Sequence, residues 1–383
     1  MRFNLAAAAA LFLTLGLVLL GAQGSPAQDA AAQAPPIKIG LMGPITGPWA
    51  SEGQDMEKVV NLMAEEINRN DGVNGAKVVI HSADDGGAPK TATLAAQQLI
   101  AENVVGVVGT YGSSVTEATQ YIYDEAGIIQ VATGSTSVRL TEKGLTRFFR
   151  TCPRDDEQGK ILAQNVKGLG FKKAAIVHDN TSYAKGLADE ADALFKTSGV
   201  ETVSFEAITP GDRDFTATLT KLKTQNPDVI VFTGYYPEAA LILRQKKEMA
   251  WDIAMIGGDA TNNVALVESA GPAAAEGYYF VSPPGPSDIK GEQAAKLLDA
   301  YQKKHDVLPS SVWAILAGDA FGVLVEAVKN TGPDPAKMAD FLHKDLTGYV
   351  GLTGPISFNE KGDRIGEVYR LYQVDAKGDF ILK

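Results

Sequence analysis

The chain has 383 residues, a formal net charge of -11 and a single cysteine. That length allows two domains. The acidic balance argues against a large phosphate-binding surface and a nucleic-acid partner, and one cysteine excludes an internal disulfide. Hydrophobic residues make up 45% and charged residues 21%, as in ordinary globular proteins, so hydrophobic cores must hold the fold.

Arg2 follows the start Met, an apolar run extends from Leu5 to Leu20, and small residues follow. Cleavage is expected at Ser25-Pro26-Ala27 or Ala32-Gln33-Ala34. This is the secretory pattern of positive end, apolar core and small-residue site. Residues 1–27 are thus expected to be a removed signal peptide and 28–36 a disordered Ala/Gln/Pro-rich leader. A retained anchor is the alternative, but the run is short for a span and no stop-transfer charges follow. No cysteine lies near the cleavage site, which argues against a lipoprotein. No later stretch approaches ~18 continuous apolar residues, so the mature chain is expected to be soluble.

A first strand is predicted over Ile37–Leu41, followed by a Gly/Pro turn and a helix whose apolar positions Met56, Val59, Val60, Met63 and Ile67 recur at helical spacing. Strands over Lys77–His81, Val104–Val108 and Ile128–Ala132 alternate with helices over Thr91–Ala101 and from Ser114. A second series has strands at Ala174–Val177, Thr202–Glu206, Val229–Phe232, Ala254–Ile256 and Gly277–Val281. Its helices cover Asp156–Leu169, Tyr183–Ser198, Phe215–Thr224 and Glu238–Met249. Strict β-α alternation argues for parallel sheets with helices on both faces, here as two Rossmann-like lobes. Three further helices, Lys290–Lys304, Ser311–Lys329 and Ala336–His343, precede two short strands near Pro355–Phe358 and Glu367–Gln373. The simplest arrangement returns the helices to the first lobe and carries the last strands across the junction. Residues 37–153 plus 283–357 then form the N-terminal lobe and 154–282 plus 358–383 the C-terminal lobe. Breaks near Cys152, Pro283 and Gly354 make a three-crossing hinge, which suits a clamp.

His81, His178, His305 and His343 are scattered, with no metal-ligand spacing. Neither a nucleotide-binding glycine motif nor a serine-hydrolase elbow occurs. No metal, cofactor or catalytic set is therefore expected. Cys152 reads as a small core residue rather than a reactive thiol, and His178-Asp179 as a polar loop lip.

The stretch Gly109–Thr136 carries the most information. Two apolar strand runs end in small, hydroxyl-bearing turns, with Ser114 and Glu117 spaced as a capping box between them. Strand ends of an open parallel sheet border the ligand crevice, and helix N-termini there attract anions. An anion cradle and an ordinary capped helix both fit this spacing. Further polar and aromatic residues fall at other strand ends: Trp49 and Glu52; Tyr111, Gly112 and Ser113; Gly134, Ser135 and Thr136; Tyr183; Tyr236; and Asp259. Together they describe one cleft, with hydroxyls and N–H groups on one side and an acid with tyrosines on the other. That asymmetry suits a zwitterion. Donors take a carboxylate, Asp259 takes an ammonium, and aromatic rings line the rest.

The segments I-K-I-G-L-M-G-P-I-T-G-P from Ile37, G-T-Y-G-S-S from Gly109, Y-D-E-A-G-I from Tyr123, R-T-C-P-R-D-D-E-Q-G from Arg150, G-D-R-D-F from Gly211 and G-Y-Y-P-E from Gly234 carry a resemblance. In this order they are similar to the periplasmic leucine/isoleucine/valine-binding proteins, the branched-chain amino-acid receptors of ABC importers. The resemblance spans essentially the whole mature chain. It implies a type I periplasmic binding fold, a periplasmic monomer without enzymatic activity, an amino-acid ligand and a membrane permease as partner. It also implies that Ser113 and Thr136 hold the ligand carboxylate, the Gly134 carbonyl accepts from the ammonium, and Asp259 faces it. Tyr183 and Tyr236 would close over the ligand. The chain departs from the family pattern at Tyr111 and Gly112, where those receptors carry an aliphatic residue and a disulfide-forming Cys. It departs also near Glu52, a position often aromatic, for which Trp49 can substitute after a one-residue shift. The expected ligand is a branched-chain or other hydrophobic L-amino acid. The alternatives are an amide, an aromatic acid or another small carboxylate, used for transport or sensing, and an exported amidase on the same scaffold.

Overall fold

Apolar strand runs alternating with amphipathic helices build two open sheets in a computed structural model that describes residues 34–366 and 368–383. The expected signal peptide and most of the leader lie outside the described residues. Among those described, no helix is long and apolar enough to cross a membrane.

The first sheet is formed by β1 (Ile37–Gly43), β2 (Val78–Asp84), β3 (Gly106–Val108), β4 (Ile129–Ala132) and β5 (Phe148–Arg150), connected through α1 (Ala50–Arg69), α2 (Pro89–Ala101) and α3 (Ser113–Glu125). All its strands are parallel, in the order β2-β1-β3-β4-β5. The second unit runs α4 (Asp155–Gly168), β6 (Lys173–His178), α5 (Ser182–Ser198), β7 (Glu201–Ala207), α6 (Thr216–Thr224), β8 (Val229–Phe232), α7 (Tyr236–Glu248), β9 (Ala254–Gly257), α8 (Ala265–Ala270), α9 (Pro272–Ala275) and β10 (Tyr279–Ser282). Its parallel order β7-β6-β8-β9-β10 repeats that of the first sheet. Central strands such as Val229–Phe232 are buried on both faces and read as continuous apolar runs, whereas the edge strand β7 is partly exposed along its length.

The chain then returns to the first unit through α10 (Glu292–His305), α11 (Val312–Thr331) and α12 (Pro335–Lys344). Both α10 and α11 pack on α1, and α11 also lies against β3. Helix α11 is buried almost throughout, which explains why its sequence lacks a polar stripe. A small hairpin, β11 (Val350–Gly351) with β12 (Gly354–Pro355), follows. Finally β13 (Arg370–Val374) and β14 (Phe380–Leu382) extend the second sheet antiparallel beyond β10. Three segments therefore connect the two units: after β5, after β10 and after β12.

Sequence periodicity does not reveal β5, β11, β14, α8 or α9. They are only two to six residues long, too short for a period to register. Gly109, at the end of β3, has a φ of +123°, and a Cβ there would collide with the Met42 carbonyl oxygen of the neighbouring strand. Only glycine allows the two strand ends to approach so closely.

Arg150, the last residue of β5, is fully buried. Its Nε donates to Asp363 Oδ1 at 2.6 Å, its Nη1 to the carbonyls of Ser135 (3.1 Å) and Ser137 (2.8 Å), and its Nη2 to Thr141 Oγ1 (2.7 Å). One guanidinium thus ties the loop after β4 to the segment leading into β13. Burial opposes ionisation of Asp363, but the Arg150 charge and its hydrogen bonds hold that carboxyl below its usual range. Arg150→Met should lower the unfolding free energy by about 3 kcal/mol, because it leaves the buried Asp363 with Arg154 as its only cation and the Ser135 and Ser137 carbonyls without their donor. Urea denaturation measures this; a loss no larger than that of a surface substitution would remove Arg150 from this role.

Candidate functional site

In both sheets the strand order reverses beside the first strand of the unit, and the carboxyl ends face a shared cleft. This is where open α/β sheets place ligands. The loops after β1, β3 and β4 supply one wall; those after β6, β8 and β9 supply the other. The two walls are closed on each other. Asn263 Nδ2 donates to Glu52 Oε1 at 2.7 Å, the Ser182 amide donates to Ser114 Oγ at 2.9 Å, and Arg139 Nη2 donates to Ser182 Oγ at 2.7 Å.

On the first wall, Ser113 opens α3 and its Oγ accepts from the Ser137 amide at 3.2 Å, joining two of the loops. The capping box expected from Ser114 and Glu117 does not form. Gly112 is the N-cap and no side chain caps the helix. Ser114 instead accepts from Ser182, and Glu117 pairs with Arg139 and Lys143 at 2.8 and 3.5 Å. Thr136 is fully buried; its Oγ1 makes no well-formed hydrogen bond and acts on the Asp155 carboxyl group. Ser135 turns away from the cleft: its Oγ lies 2.6 Å from Thr116 Oγ1 and 3.2 Å from the Tyr111 carbonyl. The Tyr111 ring lies over Gly134, where a Cβ would stand 2.6 Å from ring carbon Cδ2.

On the second wall, Asp259 sits in a 3-10 turn after β9 and accepts from Tyr369 Oη at 2.8 Å. Tyr183 Oη donates to Gln158 Oε1 at 3.3 Å and accepts from the Ala260 amide. The loop after β8 differs from expectation. Tyr235, the N-cap of α7 in extended conformation, projects into the cleft. Its ring stacks on Trp49 at 4.1 Å and meets Tyr183 at 5.3 Å and Tyr111 at 5.9 Å. Tyr236 is already helical, and its hydroxyl donates to the Pro48 carbonyl at 3.0 Å, next to Ser51 Oγ. Tyr236 therefore bridges the walls at the rim, while Tyr235 lines the interior. One step into the helix redirects the side chain.

Sequence reasoning also missed Asp155 and Trp313. Asp155, first residue of α4, is buried, and its amide donates to the Thr136 carbonyl at 3.0 Å. Neither of its carboxylate oxygens makes a well-formed hydrogen bond. A cavity of about 490 Å³, lined by Ser137, Asp155, Thr181, Ser182 and Gly186 among others, opens on this side. Asp155 lies within the quoted segment from Arg150, but nothing in its spacing distinguishes it from Asp156. Trp313 comes from α11, far along the chain, and meets Tyr111 edge to face at 5.8 Å.

The remaining chemical candidates do not form a reactive set. Cys152 is buried, and burial pushes its thiol up to about 12. His178 Nδ1 accepts from the Asn180 amide, and Asp179 Oδ1 from the Thr181 amide, so the two shape a loop rather than a catalytic pair. Among the described residues no group of His, Cys, Asp and Glu could hold a metal ion.

Burial dominates the electrostatics. It lifts Asp259 to about 6, against the hydrogen bond from Tyr369. Burial and then the Asp259 charge push Asp155 well above the usual carboxylate range, with the Thr136 hydroxyl and Arg150 pulling the other way. Burial raises Glu52 from 4.5 to about 8, opposed by its hydrogen bonds with Ser311 and Asn263 and assisted by the Asp55 charge. A carboxyl whose folded-state pKa is raised binds its proton more tightly there than in the unfolded chain. Its stabilising contribution is complete below about pH 4.5 and is lost as pH rises through about 8. Glu52→Gln reproduces the protonated acid and should reduce the fall in melting temperature between pH 5 and 8. Some slope remains, because Asp85 and Asp259, raised to about 7 and about 6, titrate in the same interval. Thermal melts of both proteins across that range measure it; an unchanged slope would show that Glu52 is not a protonated link between the walls.

The family described as periplasmic binding protein matches residues 36–379. The Leu/Ile/Val-binding protein BraC3 of Rhizobium johnstonii is 34% identical over 342 residues, covering 89% of this chain and 92% of that protein. The leucine-, isoleucine-, valine-, threonine- and alanine-binding protein of Pseudomonas aeruginosa is 33% identical, covering 88% and 89%. The crystal structure of a leucine-binding protein LivK from Thermotoga maritima superposes with a TM-score of 0.84 at 28% identity, over 91% of this chain and 97% of that one. The substrate-binding protein LivJ of a branched-chain amino-acid transporter from Streptococcus pneumoniae, solved with isoleucine, gives 0.82 at 30% identity, over 91% and 100%. With two Rossmann-like lobes, a closed cleft at their strand ends and a family match over nearly the whole described chain, this protein belongs to the periplasmic binding protein family.

Proposed function

We propose that the protein is the periplasmic substrate-binding component of an ABC importer, capturing an L-amino acid of about branched-chain size in the cleft and delivering it to a membrane permease. One observation carries this reading. Between the closed walls, the buried Thr136 hydroxyl, which makes no well-formed hydrogen bond, stands against the buried carboxyl group of Asp155, which lies in the same lobe as Asp259 and feels its charge. Such groups are costly to bury unless something pairs with them. An α-ammonium answers the carboxylates, and an α-carboxylate answers Thr136, Ser113 and the N-terminus of α3. In this reading the Gly134 carbonyl accepts from the ammonium, and Trp49, Tyr183 and Tyr235 cover the ligand. Tyr236 at the rim and the buried Glu52 hold the walls together. The names of the relatives support an amino acid: leucine, isoleucine and valine recur, and one relative is named also for threonine and alanine.

The mechanism needs no covalent step. Contacts to both walls favour the closed state, so ligand binding shifts the population from open to closed. The lobe division follows the sheets: residues 37–153 plus 283–357 move as one body and 154–282 plus 358–383 as the other, about the three connecting segments. The protein acts as a monomer, with the mature chain free in the periplasm.

Asp259→Ala should weaken binding of an L-amino acid by about 100-fold, the scale of truncating one partner of a buried, hydrogen-bonded charge pair. It should change binding of the corresponding deaminated acid far less. Calorimetry on both ligands separates the cases, and equal losses would end the ammonium role. Affinity should also hold above about pH 7 and fall below about 6, where Asp259 takes up its proton. Overnight incubation with the bound amino acid should return it unaltered by mass spectrometry; conversion to product would instead favour an enzyme.

A further inference from the structure

The aromatic wall of the cleft carries two more buried donors without partners. Tyr111 and Trp313 are each 1% exposed. Neither Tyr111 Oη nor Trp313 Nε1 makes a hydrogen bond, although their rings are in edge-to-face contact at 5.8 Å. An indole N–H can only donate, and a buried donor left unpaired is costly. Both rings belong to the aromatic wall: Tyr111 also meets Trp49 at 5.6 Å and Tyr235 at 5.9 Å. Burial, then the nearby charges of Glu52, Tyr235, Tyr236 and Asp259, disfavours ionisation of the Tyr111 phenol. Tyr235 comes from the opposite wall, so the Tyr111 ring borders the space between the walls.

From these residues we infer that the cleft selects amino acids with a neutral polar side chain over aliphatic ones of the same shape, and that Tyr111 and Trp313 determine this by donating to a side-chain hydroxyl or amide oxygen. The inference rests on the amino-acid reading above and names the side-chain class within it. Charge along this wall argues for neutrality. Glu52 is the buried acid here, and both its oxygens are already engaged, by Asn263 and Ser311. An anionic side chain would meet a carboxyl group and a cationic one would find no free acceptor on it. Size argues for a short side chain, because the Tyr111 ring occupies the space over Gly134. An aliphatic side chain would satisfy the ring faces but leave both donors dry, whereas a hydroxyl or amide oxygen answers them.

Isosteric pairs test this without changing shape: threonine against valine, and asparagine against leucine, by calorimetry on the full mature chain. In at least one pair the polar member is expected to bind tenfold or more tightly. Tyr111→Phe and Trp313→Phe, which keep an aromatic ring and remove one donor each, should bring that ratio toward one, with the polar member of each pair losing more affinity than the aliphatic one. Valine and leucine binding as tightly as threonine and asparagine would overturn the inference while leaving the amino-acid reading intact. So would a polar preference that neither substitution changes. Absence of binding by any α-amino acid would overturn both, and the loss on Asp259→Ala independently reports on the reading alone.

Discussion

The Arg150 guanidinium is the interaction on which the cleft depends. Its Nη1 fixes the Ser135 and Ser137 carbonyls, and its Nε fixes Asp363 in the segment returning to the second sheet. With two carbonyls of the loop after β4 held from behind, that loop has a set position. Thr136 and the Gly134 backbone then present to the cleft without rearrangement. A buried ion pair is seldom a large source of stability. Here its effect is geometric: one rigid planar cation, with fixed donor directions, spaces a cleft loop against a connection between lobes.

Desolvation is the second constraint. Glu52, Asp155 and Asp259 are all buried, and burial is the first cause of the upward shift of each. The three respond differently because their hydrogen bonds differ. Asp259, held by Tyr369, stays closest to ionised at neutral pH, while Glu52, shared between Asn263 and Ser311, behaves as a neutral link. The cleft therefore concentrates negative potential where an ammonium would lie and keeps the Glu52 link uncharged. That division follows from hydrogen-bond partners contributed by elements distant in the chain.

Much of the fold was legible in the sequence. The alternation of Val104–Val108, Ile128–Ala132 and Val229–Phe232 with amphipathic helices identified parallel sheets, because strands buried on both faces must be continuously apolar. Where elements were short, as in Phe148–Arg150, no period could show. Of the cleft residues, Trp49, Tyr111, Ser113, Thr136, Tyr183 and Asp259 were visible as polar or aromatic residues just beyond strand ends. Tyr235 was missed in favour of Tyr236, because one residue separates an extended cap from a helix, and pattern alone does not resolve such a boundary. Ser135 looked equivalent to Thr136, yet its hydroxyl is consumed by Thr116 and backbone carbonyls.

The sequence by itself determined the class of fold, the order of its strands and helices, and a family membership spread over residues 36–379. It did so because local periodicity and the residues at strand ends are properties of short segments. Only the tertiary structure decided that Trp313 from α11 faces Tyr111, that Asn263 and Ser311 share Glu52, and that Asp155 joins Asp259. Those contacts span up to 259 residues of chain, and their energies arise from desolvation and close packing, which exist only once the lobes are folded and closed.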